Sequence, residues 1–258
     1  MDLQIHQQWF LVGGATSGLG QGIALRLLAE GANVLAIARN GQALQQLQAQ
    51  YPNQVRTLAA SLTEPATIAL IKHELQGLAP LAGVVLNAGG PPALPALQTT
   101  LAHWDEAYHQ VFRWKVALTQ ALLPALQANH YGRLLYIESA SIKQPMENLA
   151  LSTAMRLAVA GYVKTLSAEL APQGITLNIL APGLHNTAAL QRIFDAKAAQ
   201  TGKDAQEIRT QTIAQLPMAT LGQPQDFATL AAWLLSPHSR FVTGQTWAVE
   251  GGSIKGIM

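Results

Sequence analysis

The stretch Phe10 to Gly20 reads FLVGGATSGLG and narrows the choice of fold more than any other part of the chain. A short apolar run passes directly into three spaced glycines, Gly14, Gly18 and Gly20, and then into a helix-like segment, Ile23 to Glu30. The order is strand, turn, helix. Gly14 turns tightly because it has no Cβ, while Gly18 and Gly20 let backbone N–H groups and a helix N-terminus approach a pyrophosphate. The Gly-x-x-x-Gly-x-Gly spacing is one residue wider in its first gap than the general dinucleotide fingerprint. Glycine triplets also make ordinary turns, so the surrounding pattern has to decide.

That pattern alternates strands with helices to the end of the chain. Asn33–Ala38, Val55–Ala59, Gly83–Leu86, Arg133–Ile137, Ile175–Leu180 and Thr246–Glu250 are apolar runs of strand length. Helical patterns lie between them at 42–50, 65–76, 101–128, 152–171 and 224–235. The prediction is an α/β fold: one doubly wound parallel sheet of Rossmann type, seven strands flanked by helices, in a single domain over residues 1–258. In the longest helix, Trp104, Ala107, Val111, Trp114, Leu118, Ala121 and Ala125 recur at three- and four-residue spacing and are expected to form the buried stripe, with an interruption at Pro124. The polar stretch Asn186–Pro217 reads as a helical cover over a substrate pocket. Small residues at Ala150, Ala154, Ala158 and Gly161 form a ridge that permits close helix approach, which predicts a homo-oligomer, either dimer or tetramer.

Composition removes several function classes. Only 12% of the 258 residues are charged and the net charge is +2, too little for a nucleic-acid partner. There is no cysteine, so neither disulfides nor thiolate metal sites are available, and the histidines show no ligand spacing, so no metal is expected. No apolar run approaches the roughly 18 residues of a membrane span, and the start MDLQIHQQW lacks a leader pattern. A soluble, cytoplasmic protein acting on a small molecule is expected.

Arg39, at the end of the second strand, stands where a dinucleotide fold meets the adenosine ribose. An acid there favours a free 2′-hydroxyl, and an arginine favours a 2′-phosphate, so Arg39 points to NADP(H). The alternative is a solvated arginine at a strand end. With Asn87-Ala88-Gly89, Ser139, Asn178 to Gly183 with Thr187, and Val249-Glu250-Gly251-Gly252 added, the chain resembles the short-chain dehydrogenase/reductase family, and within it the 3-oxoacyl-carrier-protein reductase-like enzymes. The resemblance implies that Gly14, Ser17, Gly18, Leu19 and Gly20 cradle the pyrophosphate. It puts Asn87, Ala88 and Gly89 on the adenosine side, and Pro182, Gly183 and Thr187 at the nicotinamide. The family usually has threonine where Gly13 stands and an acid where Ser61 stands.

The catalytic positions depart from the family. Its tyrosine and lysine, thirteen and seventeen residues beyond the serine, fall here on Ser152 and Arg156, and its asparagine falls on Val111. In the family the serine orients the carbonyl, the tyrosine protonates it, and the lysine lowers the tyrosine pKa and binds ribose. The resemblance thus makes Ser139, Ser152 and Arg156 the catalytic candidates, with Arg156 also a ribose ligand. A serine hydroxyl is a far weaker acid than a phenol of pKa about 10, and arginine stays protonated. Val111 reads as a core residue. Lys143 and His185, on loops expected to face the nicotinamide, are alternative proton donors or else solvated loop residues. Glu138 and Glu147 rank below them. Two readings follow: an NADP(H)-dependent oxidoreductase moving hydride between nicotinamide and a carbonyl or alcohol, with an atypical site, or a catalytically silent NADP(H)-binding protein serving as sensor or partner subunit.

Overall fold

The computed structural model of the chain describes residues 1–78 and 80–256, with Gln200 described by its backbone alone. Seven parallel strands form one sheet in the order β3-β2-β1-β4-β5-β6-β7. They are β1 (Trp9–Gly13), β2 (Asn33–Ala38), β3 (Val55–Ala59), β4 (Leu81–Leu86), β5 (Gly132–Ile137), β6 (Ile175–Pro182) and β7 (Thr246–Val249). Every residue of β4 and β5 is buried, as continuous apolar runs require when helices cover both sheet faces. The two-residue pleat divides them between two cores. Phe10 and Val12 join Val34 and Ala36 on one face, and Leu11 joins Leu35 and Ile37 on the other.

The first face is covered by α1 (Gly18–Ala29), α2 (Gly41–Gln50) and α9 (Pro224–Leu235), through Ile23, Leu27, Leu44, Leu47 and Phe227. Helices α1 and α9 touch at backbone distance. A Cβ on Gly22 would stand 2.9 Å from the Pro224 carbonyl oxygen, so glycine is what admits the approach. The second face carries α3 (Thr67–Glu74), α4 (Leu101–Ala107), α5 (Trp114–Ala128) and α6 (Ala150–Leu170).

The long segment at 101–128 is continuous but not uniform. A π-helical stretch, Tyr108–Arg113, joins α4 to α5, and Trp114 at the start of α5 donates through Nε1 back to the Gln110 carbonyl at 2.8 Å. A π turn holds an extra residue and so advances the inward face. Ala107, Val111, Trp114 and Leu118 are buried as expected, but the stripe continues through Leu122 and Leu126, and Ala125 is exposed. Lys115 and Thr119, four and eight residues beyond Val111, lie inside with it. Pro124 does not interrupt the helix: it and Gln120, whose carbonyl it deprives of a donor, both lie on the solvent side, where water takes the place of the lost bond.

The polar stretch forms two helices, α7 (Ala188–Thr201) and α8 (Ala205–Ala214), which share a small core of Leu190, Phe194, Ile208 and Leu221. Helix α1 starts at Gly18, earlier than the sequence pattern of apolar residues showed, because the glycine turn itself supplies its first turn. On α6, Ala158 and Gly161 of the small-residue ridge are exposed, while Ala150 and Ala154 are half-buried. Among the described residues no helix is long and apolar enough to cross a membrane.

Replacing the exposed Pro124 by alanine restores a helical hydrogen bond without disturbing the core. We expect Pro124→Ala to stabilise the fold by about 1 kcal/mol, read as a melting temperature higher by about 2–4 °C.

Candidate active site

Strand order reverses between β1 and β4, and the crevice at the carboxyl ends of these strands is where an open α/β sheet binds its ligand. Here Asn87, immediately after β4, donates through Nδ2 to the Gly13 carbonyl at 3.0 Å and bridges the two strand ends. The turn that follows β1 is tight. Gly14 has φ +64° and Gly18 φ +56°, and a Cβ on Gly20 would stand 2.4 Å from the Gly14 carbonyl oxygen. Ser17 is the N-cap of α1, yet its side chain makes no capping bond and is exposed, so the first N–H groups of the helix have no side-chain acceptor. Such an N-terminus fits an anion.

The other nucleotide candidates gather along the same edge. Leu19 is half-buried behind the turn, and Ala88 and Gly89 continue the loop after Asn87, with open space beyond Gly89. Thr187 Oγ1 caps α7 by accepting from Leu190 N at 3.3 Å, while a Cβ on Gly18 would lie 3.4 Å from Thr187 Cγ2. The end of β6 is thus brought over the glycine turn. Pro182 and Gly183 lead into it, and Gly183 packs so closely on Glu250 that a Cβ would come within 2.6 Å. Arg39 is exposed at the end of β2 and makes none of the ion pairs among the described residues, while Asn40 beside it caps α2. A free guanidinium and an uncapped helix N-terminus on one strand edge fit the 2′-phosphate and pyrophosphate of a dinucleotide.

Ser139 follows β5 as the N-cap of a short 3₁₀ turn, its Oγ accepting from Ser141 N at 3.2 Å. Ser152 and Arg156 lie one turn apart on α6, joined by Arg156 Nε donating to Ser152 Oγ at 3.0 Å. Arg156 Nη1 donates to Glu138 Oε2 at 3.0 Å and to the Ile137 carbonyl at 3.4 Å. Nη2 lies against Gly90, where a Cβ would stand 3.0 Å away. On its other side Glu138 is held by Lys115 Nζ of α5. The side chains of Lys115, Glu138 and Arg156 are 3%, 0% and 10% exposed, so two cations and one carboxylate form a closed ionic triad beneath the site. Burial drives the Lys115 pKa down to about 8; Glu138 opposes the shift and Arg156 adds to it.

Sequence reasoning missed this triad. Glu138 ranked below the loop residues as a candidate, and Lys115 was not singled out. Its signal was a lone lysine between Trp114 and Leu118 on an otherwise apolar helix face, read together with an acid closing an apolar strand. Val111 is core, 1% exposed. His185 does not face the site. Its ring meets Phe227 edge-on at 5.3 Å, Gly222 closes in behind it, and Nδ1 lies 3.2 Å from the Gly183 carbonyl, which leaves Nε2 buried without a partner among the described residues. Lys143 is half-buried in the loop after Ser139, and Glu147 is exposed.

This architecture and strand edge define a class. The family model described as enoyl-(acyl carrier protein) reductase matches residues 14–253, and the chain belongs to the short-chain dehydrogenase/reductase family. It is 28% identical to the 3-oxoacyl-[acyl-carrier-protein] reductase FabG of Vibrio cholerae over 94% of this chain and 95% of that protein. Among solved structures it resembles YwfH, an NADPH-dependent reductase involved in bacilysin biosynthesis, with a TM-score of 0.90, 25% identity, and 97% of this chain and 100% of that one covered. A variant actinorhodin polyketide ketoreductase solved with NADPH gives a TM-score of 0.88 at 27% identity, covering 96% of this chain and 97% of that one. Membership places the chain among the NAD(P)-dependent oxidoreductases.

Two outcomes test the electrostatics. Glu138→Ala leaves two buried cations without a counter-charge and should cost about 3–5 kcal/mol in urea unfolding. Burial holds the His185 pKa below its usual value, against the pull of the Gly183 carbonyl and Asp226. An unfolded imidazole therefore takes up a proton near pH 6.5 while the native one resists, so the unfolded state binds more protons and stability falls as pH drops through that value. The melting temperature should drop between pH 7.5 and 5.5, and His185→Gln should flatten that drop.

Proposed function

We propose that the chain is an NADP(H)-dependent reductase of a carbonyl substrate. The observation that carries this reading is the uncapped glycine-turn helix lying on the same strand edge as the unpaired Arg39. In this reading Gly14, Ser17, Gly18, Leu19 and Gly20 hold the pyrophosphate through backbone N–H groups. Arg39 pairs with the 2′-phosphate. Asn87, Ala88 and Gly89 line the adenosine side, and Pro182, Gly183 and Thr187 border the nicotinamide. Arg156 offers the ribose only Nη2, since its other two nitrogens are engaged. The bound cofactor supplies hydride. Ser139, half-buried with its Oγ used only as an acceptor, has a hydroxyl hydrogen to give to the substrate oxygen and so orients the carbonyl. Helices α7 and α8 cover the substrate, and the exposed part of the α6 ridge pairs with a second copy.

The other reading, a silent NADP(H)-binding protein, draws on the absence of the family's tyrosine. Both readings require cofactor binding, and turnover separates them. Titration of intrinsic fluorescence should show NADPH binding tighter than NADH, and Arg39→Ala should weaken NADPH about tenfold while leaving NADH unchanged. NADPH consumption over a panel of ketones, aldehydes and 3-oxoacyl thioesters then decides. Steady turnover supports the reductase; binding without consumption of any of them supports the silent protein.

A further inference from the structure

The chain enters α7 and leaves α8 through one short bridge. After β6 it runs Leu184-His185-Asn186, and on its way from α8 to α9 it passes Gly222. His185 and Gly222 pair as an isolated parallel bridge. Gly222 N donates to the Leu184 carbonyl at 3.1 Å, and Asn186 N donates to the Gly222 carbonyl at 2.8 Å. The two ends of the helical pair are therefore fastened together at one place. Arg209 of α8 adds a bond there, its Nη2 donating to Asn186 Oδ1 at 3.1 Å.

The His185 ring is the pin of this fastening. It is 4% exposed, and a Cβ on Gly222 would stand 2.8 Å from its Cδ2 and 2.9 Å from its Nε2. The ring thus fills the space that the missing side chain leaves, and Phe227 of α9 closes the slot edge-on. A carbonyl only accepts, so Nδ1 carries the ring hydrogen and gives it to Gly183. Nε2 then holds a bare lone pair, buried without a donor among the described residues. A neutral ring loses one hydrogen bond in this slot. A protonated ring would bring a full charge and a second N–H into it, which is far more costly.

The charged neighbours do not reverse that balance. Asp226 of α9 acts on the ring, but its Oδ2 accepts from Gln223 N at 2.8 Å. Arg209 of α8 is a cation and reaches Asn186. Glu250, packed on Gly183 beyond β7, holds its Oε2 to Ser253 Oγ and Ile254 N. Burial outweighs the pull of Asp226 and of the Gly183 carbonyl, and the native ring titrates below the usual histidine range.

We infer that the His185–Gly222 bridge is a proton-operated clasp on α7 and α8: the neutral ring holds the helical pair down, and a protonated ring leaves its slot and releases it. In the released state the ring lies in water, where it takes up a proton near pH 6.5. Closure and protonation oppose each other, so release is favoured as pH falls. The Leu184 and Asn186 bonds flank the ring and both run to Gly222, so a departing ring removes the packing that keeps the two segments in register. Helices α7 and α8 share the core of Leu190, Phe194, Ile208 and Leu221 and move as one body. The consequence for substrate rests on the reading above that these helices cover it: the pocket is shut near neutrality and opens in acid.

Hydrogen exchange of the full chain tests the clasp, native and as His185→Gln and His185→Phe, at pH 7.5 and 5.5. Protection factors are compared for peptides of α7 and α8 and for α2 at the far side of the sheet, which opens without His185. In the native protein, protection of α7 and α8 should fall about tenfold over this range, the linkage limit for a histidine that titrates near pH 6.5 when released and lower when held. Protection of α2 should hold. Neither variant titrates at this position, so both should keep the same protection of α7 and α8 at the two pH values. An unchanged native value would overturn the clasp, and so would an equal fall in α2 or a fall that persists in either folded variant. The native comparison of α7 and α8 with α2 decides by itself if a variant does not fold. Exchange needs neither cofactor nor substrate, so the clasp is judged apart from the reductase reading, which NADPH binding and turnover decide.

Discussion

The reversal of strand order between β1 and β4 is the constraint on which the rest of the molecule depends. In a parallel sheet, crossovers leaving adjacent strands in opposite directions open a crevice at their carboxyl ends. The chain closes that gap with a single side-chain bond, Asn87 to the Gly13 carbonyl, and leaves the helix N-terminus beyond it uncapped. A side chain on Gly14 would collide with Asn87 and one on Gly20 with the backbone of the turn, so the crevice keeps its shape only with glycine at both positions. Everything that reads as nucleotide recognition hangs from this edge.

The sequence made this edge legible because its determinants are local. Apolar runs of strand length, glycines at fixed spacing and an arginine at a strand end each carry their meaning within a few residues. The seven strands matched their predicted positions to within a residue or two for the same reason. The far end of the long helix was less legible: Trp114 and Leu118 are buried as the pattern expected, but Leu122 and Leu126 take the places expected of Ala121 and Ala125. Three- and four-residue steps from Leu118 lead equally well to Ala121 or to Leu122, and only packing chooses between them. Lys115 was not singled out, because nothing in the local pattern marks it as buried. Pro124 misled in the opposite direction: the helix runs on through it, with the stranded Gln120 carbonyl on the exposed side.

His185, one of the loop candidates, was misread for a related reason. His185 follows the Pro182-Gly183 turn in sequence, and proximity in sequence suggested proximity to the nicotinamide. Its side-chain direction was set instead by the cavity between Phe227 and Gly222, contributed by a helix and a loop more than thirty residues further on. Glu138 presents the same lesson in reverse. It neighbours Ser139, but its side chain is claimed by partners on α5 and α6 that no local pattern connects to it.

Stability alone is a weak explanation for such a triad. Burying three ionised groups costs several kcal/mol each before their attraction is counted, and well-packed apolar residues commonly do as well or better. With two cations against one carboxylate, the balance is worse than for a simple pair. What the arrangement does provide is fixed direction: a guanidinium anchored at Nη1 can turn Nε only toward the neighbouring turn of α6, where Ser152 stands.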